Sequence, residues 1–470
     1  ESPTIEALAL HIARTDKEAY SALTPAEPRE HYPVSSAQKR MFIMSQFTGS
    51  GTSYNIPSVM FAIGDLDLDR FEQTFQRLVA RHESLRTTFE TVGGEAVQIV
   101  HADVDFQVEF ARSSEDQLGS IVADFVRPFN LQMAPLLRVK LVHLSAQRYL
   151  LLFDMHHIVS DGVSMGILLK EFTCLYHGGD LPEISVHYKD FAVWQNSMLV
   201  SATMREHEAY WLEAFAGHIP VLALPTDFPR PSVQSFEGDA VIVRTGQQLQ
   251  DRLHQLASDR GATLYMVLLA AYQILLSQYS GQTDIIVGTP VAGRALTETE
   301  EMLGMFVNTL AIRSQPESGK TFAQFLEEVK QRSLLAMEHQ IYPLESLIER
   351  LELRRDLSRN PLFDTVFSVQ NQEMGASEFA GLRFEPYNRE HTIAQFDLSV
   401  KAIEDEGDIV LHAEYATHLF QKETIERMMN DYQTLLQLVT ENPDMLLGDI
   451  ALQRYDKLEN VLQDEVEFLF

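Results

Sequence analysis

The stretch Leu150-Leu-Leu-Phe-Asp-Met-His156-His157-Ile-Val-Ser-Asp161-Gly162-Val-Ser-Met-Gly166 constrains the fold more than any other. The apolar run Tyr149 to Phe153 has strand character, and it delivers two adjacent histidines, an aspartate and a glycine before a helical pattern begins. Met165, Leu168, Leu169, Phe172, Leu175 and Tyr176 recur at three- and four-residue spacing, so one face of that helix is buried, and Gly178-Gly179 stops it. The polar loop is therefore predicted to be held from both ends.

A strand that persists through both histidines points them to opposite faces, one toward a cleft and one toward the interior. A neutral imidazole facing a cleft can accept a proton near neutral pH and act as a general base. Asp161 has three readings: it orients a histidine, pairs with a buried cation, or ligates a metal. Gly162 leaves room for close approach of a ligand or another backbone. Taken alone, a His-His pair is more often structural than catalytic. Zinc is disfavoured, because adjacent histidines lack the one-turn spacing of helical ligand pairs and no cysteine cluster supports them, so no metal is expected.

At 470 residues the chain has material for two cores, since single cores stop growing near ~250–300 residues. Its 37 basic against 67 acidic residues give a net charge of -30, which argues against a nucleic-acid partner. Cys174 sits within the apolar helix pattern and reads as buried filler, and a single cysteine without an internal disulfide suits a reducing, cytoplasmic setting. The longest apolar run, Leu264 to Leu276, falls short of the ~20 residues that span a bilayer, so no membrane is expected. No secretory signal is visible, and a chain that begins at Glu1 reads as a piece of a longer protein.

Taken in order, Ser2 to Ala13 reads as a short helix followed by a polar stretch, and Ser35 with Gln38 has capping-box spacing. Tyr54 to Ile63 is strand-like and Leu68 to His82 helical, with His82 assigned a charge-stabilising role at the helix C-terminus; a hairpin turns at Gly93-Gly94. Leu136 to Leu144 is a further strand before the histidine strand. Pro225-Thr-Asp-Phe-Pro-Arg-Pro-Ser232 interrupts all regular pattern and marks a lobe boundary. Beyond it come a helix from Thr263 to Tyr279, a strand from Asp284 to Gly288 running into Arg294, a hairpin from Phe396 to Tyr415 and a helix from Thr424 to Leu438. This order loosely echoes the first half, but without a second His-His-x-x-x-Asp-Gly.

Six segments then stand in an order that resembles a condensation domain of a nonribosomal peptide synthetase. They are Ser35-x-Ala37-Gln38-x-Arg40, Arg81-His82-Glu83-x-Leu85-Arg86-Thr87, His156-His157-x-x-x-Asp161-Gly162, Tyr188-x-Asp190-Phe191-Ala192-Val193-Trp194, Gly304-x-Phe306-Val307-Asn308-Thr309, and Arg355-Asp356-x-Ser358-Arg359-Asn360-Pro361-Leu362. The resemblance covers about Pro33 to Leu438, with a departure at Ile341-Tyr342-Pro343-Leu344, where the family usually has Asp in place of Ile341 and Phe after the proline. It implies an α/β (α+β) fold of two chloramphenicol acetyltransferase-like lobes in a V-shaped pseudo-dimer, with mixed sheets flanked by helices. The expected division is a residual carrier-domain helix at 1–13, a linker at 14–32, an N-terminal lobe at 33–224, an inter-lobe linker at 225–238, a C-terminal lobe at 239–450 and an unassigned tail at 451–470.

The same resemblance implies amide formation between two thioesters carried on 4'-phosphopantetheine arms of upstream and downstream carrier domains, with an adenylation domain adjacent and no cofactor bound covalently to this chain. His157 is then the active-site residue, as base or as a positioning group, and Gly162 gives close backbone passage with its N–H near the carbonyl oxygen. His156 hydrogen-bonds within the loop, Asp161 pairs with an arginine of the second lobe, for which Arg294 is the candidate, and Asn308 and Ser358 either line the cleft or serve structure. Epimerisation of a carrier-bound residue and a non-catalytic docking module are the alternatives. Heterocyclisation is disfavoured because its loop needs Asp in place of His156.

Overall fold

The computed structural model describes residues 22–46, 51–353, 356–371, 377–379, 382–387, 392–405, 407–450 and 452. The helix read at 1–13, Arg355 and, apart from residue 452, the tail from 451 lie outside the described residues.

Two mixed sheets organise the molecule. The first has six strands in the order Ser377–Phe379, Leu382–Pro386, Asn55–Ile63, Arg148–His156, Leu137–Ser145, Glu109–Arg112. The second has seven, in the order Asn308–Ser314, Ile285–Val291, Thr365–Asn371, Leu398–Asp405, Asp408–Ala416, Glu237–Arg244, Thr392–Ile393. Each sheet has a helix-lined core of its own: Phe71, Phe75, Phe153, Phe172 and Tyr176 belong to the first, and Leu268, Tyr272, Phe325, Phe367 and Tyr432 to the second. Two lobes of helix-flanked sheet are thus present. Among the described residues no single helix is long and apolar enough to cross a membrane, and the apolar helix Leu264–Ser280 is core of the second lobe.

Local chemistry accounts for the elements that frame the histidine strand. Ser35 and Gln38 close a reciprocal capping box, with Ser35 Oγ accepting from Gln38 N–H at 3.2 Å and Gln38 Oε1 from Ser35 N–H at 3.1 Å. The helix Leu68–Arg81 buries Phe71, Phe75, Leu78 and Val79 and starts at Asp67, whose carboxylate accepts from Arg70 N–H. His82, expected to act on the helix terminus, is instead 2 % exposed, with Nε2 2.6 Å from Glu171 on the helix Gly162–Tyr176. Burial raises the Glu171 pKa, but His82 and Arg81 outweigh it and hold the carboxylate below its usual range. The helix that follows the histidine loop is thereby fixed at mid-length as well as at its start.

The two lobes repeat one pattern. In the first, Glu109–Arg112 runs parallel to Leu137–Ser145, which pairs antiparallel with Arg148–His156, and that strand in turn with Asn55–Ile63. Thr365–Asn371, Leu398–Asp405, Asp408–Ala416 and Glu237–Arg244 stand in the same relation in the second. The match extends to single hydrogen bonds. His156 N–H donates to Leu136 O at 3.0 Å and His157 N–H to Tyr54 O at 2.8 Å, while Ala416 N–H donates to Asp397 O at 3.1 Å and Thr417 N–H to Glu237 O at 3.2 Å. Helices then start at Gly162, capped by Asp161, and at Lys422, preceded by Gln421. Ala416, Thr417 and Gln421 therefore occupy the places of His156, His157 and Asp161, so the second lobe has the loop without its chemistry.

The border between the cores departs from the boundaries expected at 33–224 and 239–450. Met204, Trp211, Phe215 and Leu222 precede the proline-rich segment yet pack in the second core. Met302, Leu303, Met305 and Phe306 follow it and pack in the first, and Leu382–Pro386 pairs with Asn55–Ile63. Chain order misleads here because an apolar face must be buried but does not specify against which core. The segment 225–232 lies along the second lobe: Asp227 and Phe228 N–H groups donate to Leu419 O, and Arg230 forms a two-pronged pair with Asp397.

Candidate active site

The histidine strand is buried from Tyr149 to His156 and pairs on both sides, Asn55 opposite His156 on one flank and Leu137 opposite Met155 on the other. It ends at His156. His157 begins a single 3-10 turn, His157–Val159, so the strand does not persist through both histidines. They differ in role through this change of backbone rather than through alternation along one strand.

His156 is 6 % exposed, and its Nδ1 accepts from Ile158 N–H at 3.1 Å. Burial, with the charges of His157 and Arg138, pushes its pKa down to about 3, so it stays neutral and holds the turn. His157 is partly exposed. Its Nδ1 lies 2.8 Å from Ser160 O, and a carbonyl accepts only, so Nδ1 carries the proton. In the neutral ring Nε2 is then the lone-pair nitrogen. Burial lowers the His157 pKa against the opposing pull of the Ser160 carbonyl and Asp161, which keeps that lone pair available at neutral pH.

Asp161 caps the helix Gly162–Tyr176 and is fully buried. Its Oδ1 accepts from Ser164 N–H at 2.8 Å and from Arg294 Nη2 at 3.0 Å, and lies 2.8 Å from Ser164 Oγ, while Oδ2 accepts from Phe306 N–H at 3.1 Å. Of the three readings of Asp161, its contacts are those of an anion paired with a buried cation. Arg294, 5 % exposed in its side chain, also donates to Thr299 O and to Met302 O at 2.7 Å and lies over the Phe306 ring at 4.2 Å. The helix that carries the loop is thus tied to residues 294–306.

Two glycines make that approach possible. Gly293 has φ +66°, and a Cβ there would lie 1.8 Å from Phe306 O. A Cβ on Gly304 would lie 1.8 Å from the ring of Tyr188, whose hydroxyl contacts Ser35 Oγ at 2.8 Å and donates to Met305 O. Because the ring can give way where backbone cannot, Gly304→Ala is expected to cost about 1–3 kcal/mol of stability, read as a lower denaturant midpoint.

Gly162 is the first residue of its helix and is exposed, and a Cβ there would meet no protein atom within 4 Å. Asn308 Nδ2 donates to Gln340 O and Tyr342 O, both at 2.8 Å, and Oδ1 accepts from Leu344 N–H at 3.1 Å. It braces the turn before the helix Leu344–Arg350 and also borders the cavity between the lobes with Ser35, Tyr188, Trp194 and Glu345. Ser358 lies elsewhere. Its Oγ donates to Asp356 at 2.7 Å and its carbonyl accepts from Arg230, beside a buried Asp364 whose pKa is raised by burial and by Asp397. It borders neither this cavity nor the recess formed by Arg40, Thr309, Leu344 and Phe363.

Sequence reasoning missed Ser160, whose carbonyl sets the tautomer, Ser164 and Tyr54, which hydrogen-bond the loop, and Tyr188, which holds Met305. Tyr188 and Ser164 sit inside or beside the quoted segments, so their positions carried a signal. The carbonyls of Ser160 and Tyr54 carried none, since any residue supplies one. Among the described residues no group of three or more His, Cys, Asp or Glu is placed to hold a metal ion.

Comparison with known proteins bears on the whole chain. A family model described as Condensation domain matches residues 28–460. Gramicidin S synthase 2 of Aneurinibacillus migulanus is 51% identical over 465 residues, covering 99% of this chain and 10% of that protein. Tyrocidine synthase 3 of Brevibacillus parabrevis is 51% identical over 464 residues, covering 99% of this chain and 7% of that protein. The chain thus spans a tenth or less of these relatives. A solved complex of the X-domain and OxyB from teicoplanin biosynthesis superposes with a TM-score of 0.85 at 24% identity, over 93% of this chain and 99% of that one, a likeness of fold.

Proposed function

This chain belongs to the condensation-domain family of nonribosomal peptide synthetases, and from that membership we propose that it joins two carrier-bound acyl groups by an amide bond. The amine of a downstream aminoacyl thioester attacks the carbonyl of an upstream peptidyl or aminoacyl thioester. The C–N bond forms, the C–S bond breaks, and the upstream pantetheine leaves as a thiol. Both arms, supplied by carrier domains outside this chain, enter from opposite ends of the space between the lobes.

The observation that carries this reading is the Nδ1–H to Ser160 O bond, which leaves His157 Nε2 as an acceptor. As nitrogen adds to the carbonyl it becomes cationic while the oxygen becomes anionic, and Nε2 can take the proton from nitrogen and return it to the departing sulfur. The same lone pair also orients the amine before attack, a contribution that can equal or exceed proton transfer. Gly162 N–H heads its helix, and we assign it to the thioester oxygen. Asp161 and Arg294 serve this reaction only by holding the loop.

The test supplies the chain with an upstream acyl-carrier thioester and a downstream aminoacyl-carrier thioester, and mass spectrometry reads the downstream carrier. A new amide there supports condensation. Inverted stereochemistry without an amide supports epimerisation instead, and carrier binding without turnover supports a docking module.

A further inference from the structure

We infer that Gln395 is a positioning residue for His157, tying the backbone that anchors the histidine to the second lobe. Strand Asn55–Ile63 is the element involved. One flank pairs with the histidine strand along its whole length, and Tyr54 O, just before its start, accepts from His157 N–H at 2.8 Å. The other flank meets chain that follows the inter-lobe linker in sequence and returns to complete the first sheet. Met60 to Ile63 pair with Pro386 to Arg383, and Val59 O accepts from Tyr387 N–H at 3.1 Å. At the opposite end Gln395 Nε2 donates to Ser53 O at 3.0 Å, one peptide before the carbonyl that holds His157.

The donor is itself held in place. Gln395 O accepts from Asn360 Nδ2 at 2.9 Å and from Gln234 Nε2 at 3.0 Å, and two residues on, Asp397 is gripped by Arg230. Ser53 is 7 % exposed, so its carbonyl has little access to water in exchange for this bond. A short path therefore runs from the inter-lobe linker through Gln395, Ser53 and Tyr54 to the His157 amide. The placement of His157 Nε2 follows the second lobe, although among the described residues no second-lobe side chain is hydrogen-bonded to the ring.

The kinetic part of this inference rests on the proposed amide-forming activity, and the test keeps the two separable. Gln395→Met removes the donor at nearly constant size and charge, and Gln395→Lys restores an N–H donor. With carrier-bound substrates, Q395M is expected to lower kcat about 10–100-fold with KM unchanged, because a misplacement of ~1 Å costs that much, and Q395K to recover most of it. On 15N-histidine-labelled chain, the His157 ring resonances and their pH titration should shift in Q395M and return toward the parent in Q395K. Equal thermal midpoints in all three proteins are expected for an exposed residue. If the parent makes no amide, the proposed activity fails while the resonance comparison still decides the tether. Unchanged His157 resonances in Q395M, or a Q395K as defective as Q395M, would overturn it.

Discussion

His157→Ala is expected to lower the rate of amide formation by about 10²–10⁴-fold, the range general base catalysis spans, while leaving the folded chain intact. Among the described residues the partly exposed ring makes one hydrogen bond, to Ser160 O, and the backbone bond from His157 N–H to Tyr54 O survives truncation, so little stability is at stake. The profile of rate against pH adds a second readout. Burial lowers the His157 pKa below the ordinary 6.5, so the limb that reports its protonation should lie below pH 6.5. A free α-amine ionises near 7.7–8.0, and its own limb should persist in His157→Ala. Loss of the lower limb alone, at constant thermal midpoint, assigns that limb to the neutral His157 ring whose Nε2 lone pair meets the amine. A variant that keeps wild-type rates would sink the role assigned to His157.

Much of this site was legible because the histidine loop is set by local rules. An apolar run ending in polar residues, followed after five positions by a helix with an Asp cap, states strand, turn and helix directly, and Asp161 accepts from Ser164 N–H as such a cap must. The pairing of Asp161 with Arg294 was available only through the family resemblance, since the two residues are far apart in sequence and nothing in either segment marks the other. What stayed hidden has a common physical cause. Backbone carbonyls of Ser160 and Tyr54 act through position, not residue type, and the return of Leu382–Pro386 to the first sheet depends on which strand edge is open. The repeat illustrates the same limit. The N–H groups of Ala416 and Thr417 donate as those of His156 and His157 do, yet no shared residue type betrays it.

That repeat also explains why the chain divides its labour as it does. The first lobe keeps the histidines and the second keeps the geometry, with the linker lying over the equivalent loop through Asp227, Phe228 and Leu419. Chain beyond the linker then supplies Arg294, Gln395 and the Leu382–Pro386 strand of the first sheet to hold the loop of the first lobe. A site built this way is complete only when both lobes are in place, so a substitution at the seam reaches His157 without touching it.

Asp161→Ala is expected to destabilise the chain by about 3–5 kcal/mol, the cost of removing one partner from a buried ion pair. Neither member is screened by water, at 0 % and 5 % side-chain exposure, so no discount for solvent applies. The truncation also strips acceptors from the N–H groups of Ser164 and Phe306. Denaturant midpoints should therefore fall sharply, and amide formation should fall with the folded fraction. The double variant Asp161→Ala with Arg294→Met distinguishes charge from packing. If the dominant cost is an unpaired guanidinium, removing it should recover part of the loss, leaving the double variant more stable than Asp161→Ala alone. If instead Asp161 acts in the chemistry, Asp161→Ala will be as stable as the parent and inactive, and the second substitution will restore nothing. Equal destabilisation in single and double variants would place the cost in the lost helix cap and the Phe306 contact rather than in the ion pair.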